Sequence, residues 1–446
     1  MPNTISFNED YPIIAESDKL YDRAVNIMTP VTQTLAKGPG QYVLGVAPKY
    51  LKRGKGSHVW DVDGNEFLDY NMAIGPLSLG YCYPRVDDAI IAQLKDGITF
   101  SMMHELEVEL AELVHQVIPN AEAIRISKTG ADVTSAAIRV ARAYTGRKKV
   151  LCCGYHGWHD WYISVTSRSS GIPEEIKELS ATFEYNDLAS VKNALDADTA
   201  CVILEPFVFE APRDNFLQEL KALCEANGTL LVFDEMWTGF RIAIGGAQEY
   251  FGVTPDLACY SKAFANGMPI SLLTGKKEIM DLFKQEVFFF TTFGGEALSL
   301  AAAVATIREM IEQNVPAYLG EKGKRLKDGY NVLAEELGLS GITRCSGYDC
   351  RSMVSFDATA GNPLDVKSFV QQELIKKGIL WSGFHNMSFS HTDADVDYTL
   401  AAYKEVLGLL KEALAEGGVG TRLRGASVEP VFRKISHFNT KPAFKS

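Results

Sequence analysis

The middle of the chain alternates short apolar runs with longer segments in which apolar residues recur at helical spacing. The apolar runs, which have the length of buried strands, are residues 150–153, 200–205 and 230–234. The helical segments are residues 131–144, 217–226 and 296–312. This alternation predicts an α/β fold, in which βαβ units form a mostly parallel central sheet flanked by helices.

The two ends of the chain have different patterns. Residues 55–71 alternate apolar and polar side chains around Asp63-Gly64, which predicts an antiparallel hairpin. In the last third of the chain, helical segments flank two strand-like runs, which predicts a smaller α+β domain. Because 446 residues exceed the usual size of a single core, several units are expected. The predicted division is an N-terminal segment that packs with the small domain (1–70), a large domain (71–325), the small domain (326–415) and a C-terminal extension (416–446).

The charge of the chain indicates a small-molecule substrate. A formal net charge of −12 disfavours nucleic acid and anionic membranes as partners, because both favour basic surfaces. The first residues lack the basic and apolar regions of a secretory signal, and no apolar stretch has the length that spans a bilayer. A cytoplasmic location is therefore expected. The eight cysteines form no CxxC pair and no zinc-site spacing with histidine, so no metal site is expected.

An acid and a lysine each follow a strand-like run. Asp234 ends the run 230–234, and Lys262 ends the segment PDLACYSK. Open α/β sheets bind ligands at the carboxyl edge of their strands, where both side chains are expected. In pyridoxal-phosphate (PLP) enzymes, a lysine holds the cofactor aldehyde as a Schiff base and an acid keeps the pyridine nitrogen protonated. We assign these catalytic roles to Lys262 and Asp234, and the released lysine amine can then act as a general base.

The segment that begins at Asp234 resembles a known family. DEMWTGFR resembles the DExxTGFR block of the class III PLP-dependent aminotransferases, most closely the branch of glutamate-1-semialdehyde aminomutase. The resemblance covers about residues 30–415. It implies a fold type I PLP-dependent transferase, in which Met236 packs on the cofactor ring and Lys262 is the Schiff-base lysine.

A second block implies the phosphate site. Residues 128–147 resemble the family's SGTEA block, in which the first amides of a helix hold the cofactor phosphate. Helix N-termini favour anions in general, because their amides and dipole both point at the ligand. The implied contacts are Thr129, Gly130 and Ala131, and Ala131 stands where the family usually has a hydroxyl residue.

Three more blocks imply the surroundings of the cofactor. CGYHGWHDWY resembles the YHG block, which implies that Tyr155 stacks over the pyridine ring with His156 beside it. VILEPF resembles the EP strand end, which implies that Glu205 borders the cofactor. TTFGGEALSLAAA resembles the TFGGNP block, which implies that Thr292 binds the cofactor phosphate of the other subunit. The resemblance thus implies a homodimer with its active sites at the interface.

These residues predict an aminotransferase that moves an amino group from a small-molecule donor, such as glutamate, to an aldehyde or ketone by a ping-pong mechanism. The aminomutase branch binds a substrate carboxylate through an arginine in a glycine-rich loop, and residues 38–50 contain no arginine. Because a buried carboxylate without a charge partner is costly, an acceptor without an α-carboxylate, such as a carbohydrate derivative, is expected. The alternative is that Arg351 or Arg241 binds a substrate carboxylate.

Three alternatives remain at the level of sequence. An aminomutase would need to retain its intermediate in the active site. The segment 164–178 could be the lid that does so. A PLP-dependent epimerase would use the same electron sink. A non-catalytic protein of the same fold is disfavoured, because both Asp234 and Lys262 are present.

Overall fold

The computed structural model describes residues 10–207 and 210–430. The last part of the predicted C-terminal extension, residues 431–446, lies outside the described residues. Within the described ranges, no helix is long and apolar enough to cross a membrane.

Fourteen α-helices lie in the described residues. They are α1 (Ala15–Ala24), α2 (Pro84–Asp96), α3 (Glu105–Val117), α4 (Gly130–Thr145), α5 (Asp160–Ile163), α6 (Glu174–Lys177), α7 (Leu188–Ala194), α8 (Phe216–Asn227), α9 (Ala247–Phe251), α10 (Lys277–Met280), α11 (Ala297–Glu312), α12 (Val315–Glu336), α13 (Pro363–Lys376) and α14 (Asp393–Ala415).

Fourteen strands also lie there. They are β1 (Leu51–Lys55), β2 (His58–Asp61), β3 (Glu66–Asp69), β4 (Ala123–Ser127), β5 (Lys149–Cys153), β6 (Ser180–Thr182), β7 (Thr199–Leu204), β8 (Leu230–Asp234), β9 (Leu257–Tyr260), β10 (Ser271–Gly275), β11 (Thr343–Tyr348), β12 (Arg351–Phe356), β13 (Ile379–Leu380) and β14 (Phe384–Asn386). The predicted strands and helices of the middle of the chain are confirmed, with ends that differ by one residue at most.

The described residues divide into two compact units. The first unit comprises residues 10–83 and 317–430, and the second comprises residues 84–207 and 210–316.

The second unit contains a seven-stranded sheet. Its strand order is β4-β10-β9-β8-β7-β5-β6. Strand β10 runs antiparallel to both of its neighbours, and the pairs from β9 to β6 are all parallel. Strands β7, β8 and β9 are buried along their whole length, as expected for strands that are covered on both faces. The prediction of a mostly parallel central sheet is confirmed.

Helix α4 packs its apolar side on this sheet. Val133, Ala137 and Val140, spaced as residues on one helix face, belong to the same buried cluster as Ile203 and Val232 of the sheet. The helix is thereby fixed over the middle strands, which positions its N-terminus at their carboxyl edge.

The first unit contains two smaller sheets. One has the order β1-β2-β3-β13 and the other the order β11-β12-β14. Strands β2 and β3 pair antiparallel, so the predicted hairpin around Asp63-Gly64 is confirmed. In the same unit, Val428 of the C-terminal extension packs in a buried cluster with Val43 and Phe67.

Candidate active site

A buried aspartate and a buried histidine are in contact at the carboxyl end of strand β8. Asp234 ends the strand, and its Oδ2 lies 2.7 Å from Nδ1 of His156, with both side chains at most 1% exposed. The other ring nitrogen, Nε2, lies 3.2 Å from the carbonyl oxygen of Cys153. Both neighbours are hydrogen-bond acceptors, so the His156 ring is held between the Asp234 carboxylate and a backbone carbonyl.

Lys262 follows the neighbouring strand, β9. The two strands are parallel with Asp234 opposite Cys259, so Lys262 emerges at the same edge of the sheet. Its φ of 59° is a left-handed conformation, which is uncommon for a residue with a side chain. Its Nζ lies 4.4 Å from the centre of the Trp237 ring. The structure therefore brings the two predicted catalytic residues to one edge.

The predicted phosphate turn is the N-terminus of helix α4. Thr129 caps the helix: its Oγ1 accepts a hydrogen bond from the Asp132 amide at 3.2 Å, and Asp132 Oδ2 accepts one from the Thr129 amide at 2.8 Å. Gly130 and Ala131 lie in the first turn, where N–H groups have no acceptor within the helix. The 16-residue helix adds the positive end of its dipole. The turn therefore suits a phosphate group.

Two glycines allow close approach to this turn. A Cβ atom on Gly130 would lie 2.9 Å from Sδ of Met236, so a larger residue would displace Met236. Gly157 has a φ of +104°, and a Cβ atom there would lie 2.8 Å from Cβ of Ala131. Met236 and the loop after β5 are thus held directly against the phosphate turn.

Tyr155 and Glu205 lie at the same edge of the sheet. Tyr155 follows β5 and packs edge-to-face on Tyr162, with ring centres 5.5 Å apart. Glu205 directly follows the neighbouring strand β7 and is 2% exposed. A Cβ atom on Gly154 would lie 3.0 Å from Cγ of Glu205, so the two strand ends are in contact.

Among the predicted site residues that the structure describes, only Thr292 does not lie with the others at the carboxyl edge of the sheet. It is exposed on the loop before helix α11 and makes none of the contacts that hold the other residues together. Its neighbours Phe290 and Phe293 are each 59% exposed.

Two residues at this edge are missing from the sequence-based prediction. One is Trp237, which contacts the Lys262 amine. The other is Glu235, which is fully buried and accepts hydrogen bonds from the Ala247 amide at 2.8 Å, the Gln248 amide at 3.0 Å and the Thr238 hydroxyl. Burial raises the pKa of Glu235 to about 7, although these hydrogen bonds oppose the shift. Side chains of successive residues in an extended chain point to opposite faces. This alternation is the sequence signal from which different partners for Asp234 and Glu235 could have been predicted.

Replacing Glu235 by glutamine is expected to change how the stability of the apoprotein depends on pH. Because the pKa of Glu235 is raised from 4.5 to about 7 in the folded state, the folded protein keeps a proton that the unfolded chain releases. As the pH rises from 4.5 to about 7, the wild type should therefore lose up to roughly 3 kcal/mol of unfolding free energy from this group. Urea titrations of both proteins across the window measure the effect. Parallel curves for the two proteins would contradict it.

The fold and the edge residues together define a class of enzyme. A mostly parallel sheet that presents a lysine and an acid at its carboxyl edge, beside a phosphate-binding helix N-terminus, is the arrangement of a fold type I PLP-dependent enzyme. The residues fit the cofactor: Asp234 suits the pyridine nitrogen, Lys262 the aldehyde and the turn at Gly130 the phosphate.

Comparison with known proteins gives the family. The profile of the class-III aminotransferases matches residues 45–392, and the chain belongs to this family of PLP-dependent enzymes that transfer amino groups. The chain is 35% identical over 414 residues to the 3-aminobutyryl-CoA aminotransferase of Cloacimonas acidaminovorans. This alignment covers 90% of this chain and 99% of that protein. It is 34% identical over 401 residues to glutamate-1-semialdehyde 2,1-aminomutase 2 of Halalkalibacterium halodurans. This alignment covers 82% of this chain and 92% of that protein.

Solved structures agree on the fold. The FumI protein of Sphingopyxis sp. MTA144, solved in its PLP form, superposes with a TM-score of 0.83 at 30% identity, over 90% of this chain and 98% of that one. An omega-transaminase from Sphaerobacter thermophilus superposes with a TM-score of 0.79 at 24% identity, over 88% and 97%. The predictions of family, cofactor and fold type are confirmed.

Proposed function

We propose that the protein transfers an amino group from a donor such as glutamate to an aldehyde or ketone whose carbonyl carbon carries no free carboxylate. The observation that carries the catalytic part is the edge of the second unit, where Lys262 and the Asp234–His156 pair lie together. When bound, PLP supplies an electron sink for the carbon that loses its proton.

The described residues supply binding and proton transfer. Lys262 would hold the cofactor at its aldehyde, and its amine is the base that would move the substrate proton. Asp234, supported by His156, would keep the proton on the pyridine nitrogen. The remaining residues would hold the cofactor in place: Thr129, Gly130 and Ala131 at the phosphate, Tyr155 and Met236 at the ring, and Glu205 at its border.

The arginines support the choice of acceptor. Residues 38–50 contain none. Arg241 is 1% exposed, and its Nε donates to the carbonyl oxygen of Trp237 at 3.1 Å. Arg351 is 8% exposed, and its guanidinium lies 4.8 Å from the centre of the Phe384 ring. Each arginine is thus buried and makes a contact within the protein, and we assign neither to an acceptor carboxylate.

Two acceptor classes satisfy this condition. One is a carbohydrate-derived aldehyde or ketone. The other is a β-keto acyl thioester, because the carboxyl group of 3-aminobutyryl-CoA, on which the relative from Cloacimonas acidaminovorans acts, is masked as a thioester. The aminomutase relatives keep an intramolecular transfer as a second candidate function.

Absorbance of the purified protein tests this proposal. We expect the Schiff-base band of the bound cofactor to bleach on addition of glutamate without an acceptor. Carbohydrate-derived ketones and β-keto acyl thioesters should then restore the band, and the better substrate is the one that restores it faster. A protein that is bleached by no amino acid but converts glutamate-1-semialdehyde would be an aminomutase. Restoration by α-keto acids alone would contradict the proposed acceptor class.

A homodimer is part of the proposal. Three exposed rings, Phe288 (72%), Phe290 (59%) and Phe293 (59%), lie near Thr292 in the sequence. A second loop contributes Met103, which is 85% exposed, and a hydrogen bond from the Ala297 amide to the Ile98 carbonyl at 2.8 Å ties the two loops together. Exposed apolar patches of this kind mark interaction sites, and we assign this one to a second copy of the chain.

Replacing Thr292 by alanine is expected to weaken PLP binding about tenfold or more, because a hydrogen bond to a charged group is worth about 1.5–3 kcal/mol. The neighbouring substitution Thr291→Ala is the matched control, since Thr291 is also exposed. Equilibrium titration of both apoproteins with PLP measures the difference. Equal dissociation constants for the two variants would remove Thr292 from the phosphate site.

Two other assignments from the sequence stay proposals. They are the cytoplasmic location and the division into segments 1–70, 71–325, 326–415 and 416–446.

A further inference from the structure

An ion pair joins the two segments to which the phosphate contacts are assigned. Lys128 precedes the phosphate turn of helix α4, and Glu296 precedes helix α11 on the loop that carries Thr292. Lys128 Nζ lies 2.9 Å from Glu296 Oε2, and the two side chains are only 18% and 12% exposed. A partly desolvated, hydrogen-bonded pair is held more firmly than an exposed one. Each subunit therefore ties its own phosphate turn to its own Thr292 loop.

Glu296 is fixed at the start of helix α11. Its Oε1 accepts a hydrogen bond from the Leu298 amide at 2.7 Å, and its Oε2 accepts one from the Ser299 amide at 3.2 Å. The Ser299 hydroxyl donates to Glu296 Oε2 at 2.6 Å and accepts from Lys128 Nζ at 3.0 Å. Burial alone would raise the pKa of Glu296, but the hydrogen bonds from Ser299 and Lys128 outweigh burial and lower it. The carboxylate is therefore a charged, immobile anchor for the lysine.

Two arginines hold the other end of the loop. Arg139, on helix α4 itself, donates from Nη1 to the Phe288 carbonyl oxygen at 2.8 Å. Arg125, on the preceding strand β4, donates to the Phe289 carbonyl oxygen. Thr292 lies between these anchors and the ion pair. Its loop is thus attached at one end to strand β4 and helix α4, and at the other end to Lys128, which lies between them.

We propose that Lys128 is a positioning residue that sets Thr292 for the phosphate group held by the other subunit. The inference rests on the proposed dimer and on the proposed role of Thr292. Lys128 binds Glu296 and Ser299 through Nζ, so it acts through the loop. In a dimer, the Lys128 of one subunit then affects the site whose Lys262 belongs to the other subunit.

Lys128→Met is the first variant, because methionine keeps much of the side-chain length and removes the charge. We expect its PLP dissociation constant to rise by roughly threefold to tenfold, no more than for Thr292→Ala, and Lys128→Arg to recover most of the affinity. Lys276→Met is the matched control. It removes another ion pair of the second unit, 2.5 Å from Asp256, which lies at the opposite edge of the sheet.

Mixed dimers then show on which site Lys128 acts. Lys262→Ala in one subunit leaves the other as the only reporter of Schiff-base absorbance. Lys128→Met is placed either in the non-reporting subunit or in the reporting one. We expect weaker PLP binding only in the first arrangement, because the reporting site receives Thr292 from the non-reporting subunit.

The outcomes separate this inference from the proposed function. Weaker binding only when Lys128→Met lies in the reporting subunit would overturn the inference, as would an unchanged dissociation constant in the homodimer. A wild-type protein that forms no Schiff base would count against the proposed function. An unchanged PLP dissociation constant for Thr292→Ala would count against the contact in trans. If Lys128→Met does not fold, Glu296→Gln tests the same link, since glutamine keeps a capping oxygen and loses the charge; the same pattern is expected.

Discussion

Replacing Lys262 by alanine is expected to lower the turnover of amino-group transfer at least about a thousandfold, because the variant would lack the amine to which we assign both PLP binding and transfer of the substrate proton. The Schiff-base absorbance should disappear at the same time. The backbone of the site should persist, since neighbouring groups fix it: the Glu235 amide donates to the Cys259 carbonyl oxygen at 2.9 Å. Stopped-flow absorbance and steady-state rates measure both effects.

Two control variants make the result specific to the amine of Lys262. Lys262→Arg keeps a cation near the Trp237 ring but cannot form the Schiff base. Lys277→Ala removes an exposed lysine of the same unit, with a side chain 62% exposed, and should leave both readouts unchanged. A Lys262→Ala protein that retained the Schiff-base band would assign the cofactor to a different lysine.

The position of Lys262 could be predicted because it depends on a local rule. An apolar run long enough for a strand, followed by a polar residue, places that residue at the carboxyl edge of a parallel sheet. Asp234 and Lys262 both follow such runs. The start of helix α4 was also predictable locally, since its cap lies within four residues, from Thr129 to Asp132. The assignment of the cofactor phosphate to this turn came from the family resemblance and stays a proposal.

Contacts between distant parts of the chain could not be predicted in this way. His156 and Asp234 are 78 residues apart, and Lys128 and Glu296 are 168 residues apart. The separation of each pair along the sequence gives no sign of contact. The two residues are brought together by the order of the strands and by the packing of the helices. The contact of Trp237 with Lys262 was not predicted, because a tryptophan is more often a core residue than part of a site.

The two adjacent acids show how the strand separates their roles. Asp234 ends β8 and contacts His156, whereas Glu235 points away from it toward the amides of Ala247 and Gln248. A carboxylate with two amide donors at the start of a short helix stabilises the loop after β8. We therefore infer that Glu235 fixes the backbone that carries Asp234 and Met236 and does not itself contact the cofactor.

Replacing Asp234 by alanine is expected to reduce turnover about a hundredfold or more, since a fixed charge aimed at a reacting group in a buried site commonly contributes that much. The physical reason is that the pyridine nitrogen would lose the carboxylate that holds its proton. Asp234→Asn keeps the shape and removes the charge, so it should share most of the loss. Rates at saturating donor measure the effect, and equal rates for wild type and both variants would contradict it.

The same substitution should also destabilise the apoprotein, because His156 would remain buried without its carboxylate partner. Removing one member of a buried pair commonly costs about 3–5 kcal/mol. A double-mutant cycle with His156→Gln separates this cost from the loss of catalysis. We expect Asp234→Ala to destabilise the apoprotein less in the His156→Gln background than in the wild type, and its turnover to stay low in both. If the second substitution instead restored turnover, Asp234 would act only through its contact with His156, and a different acid would have to lie at the pyridine nitrogen.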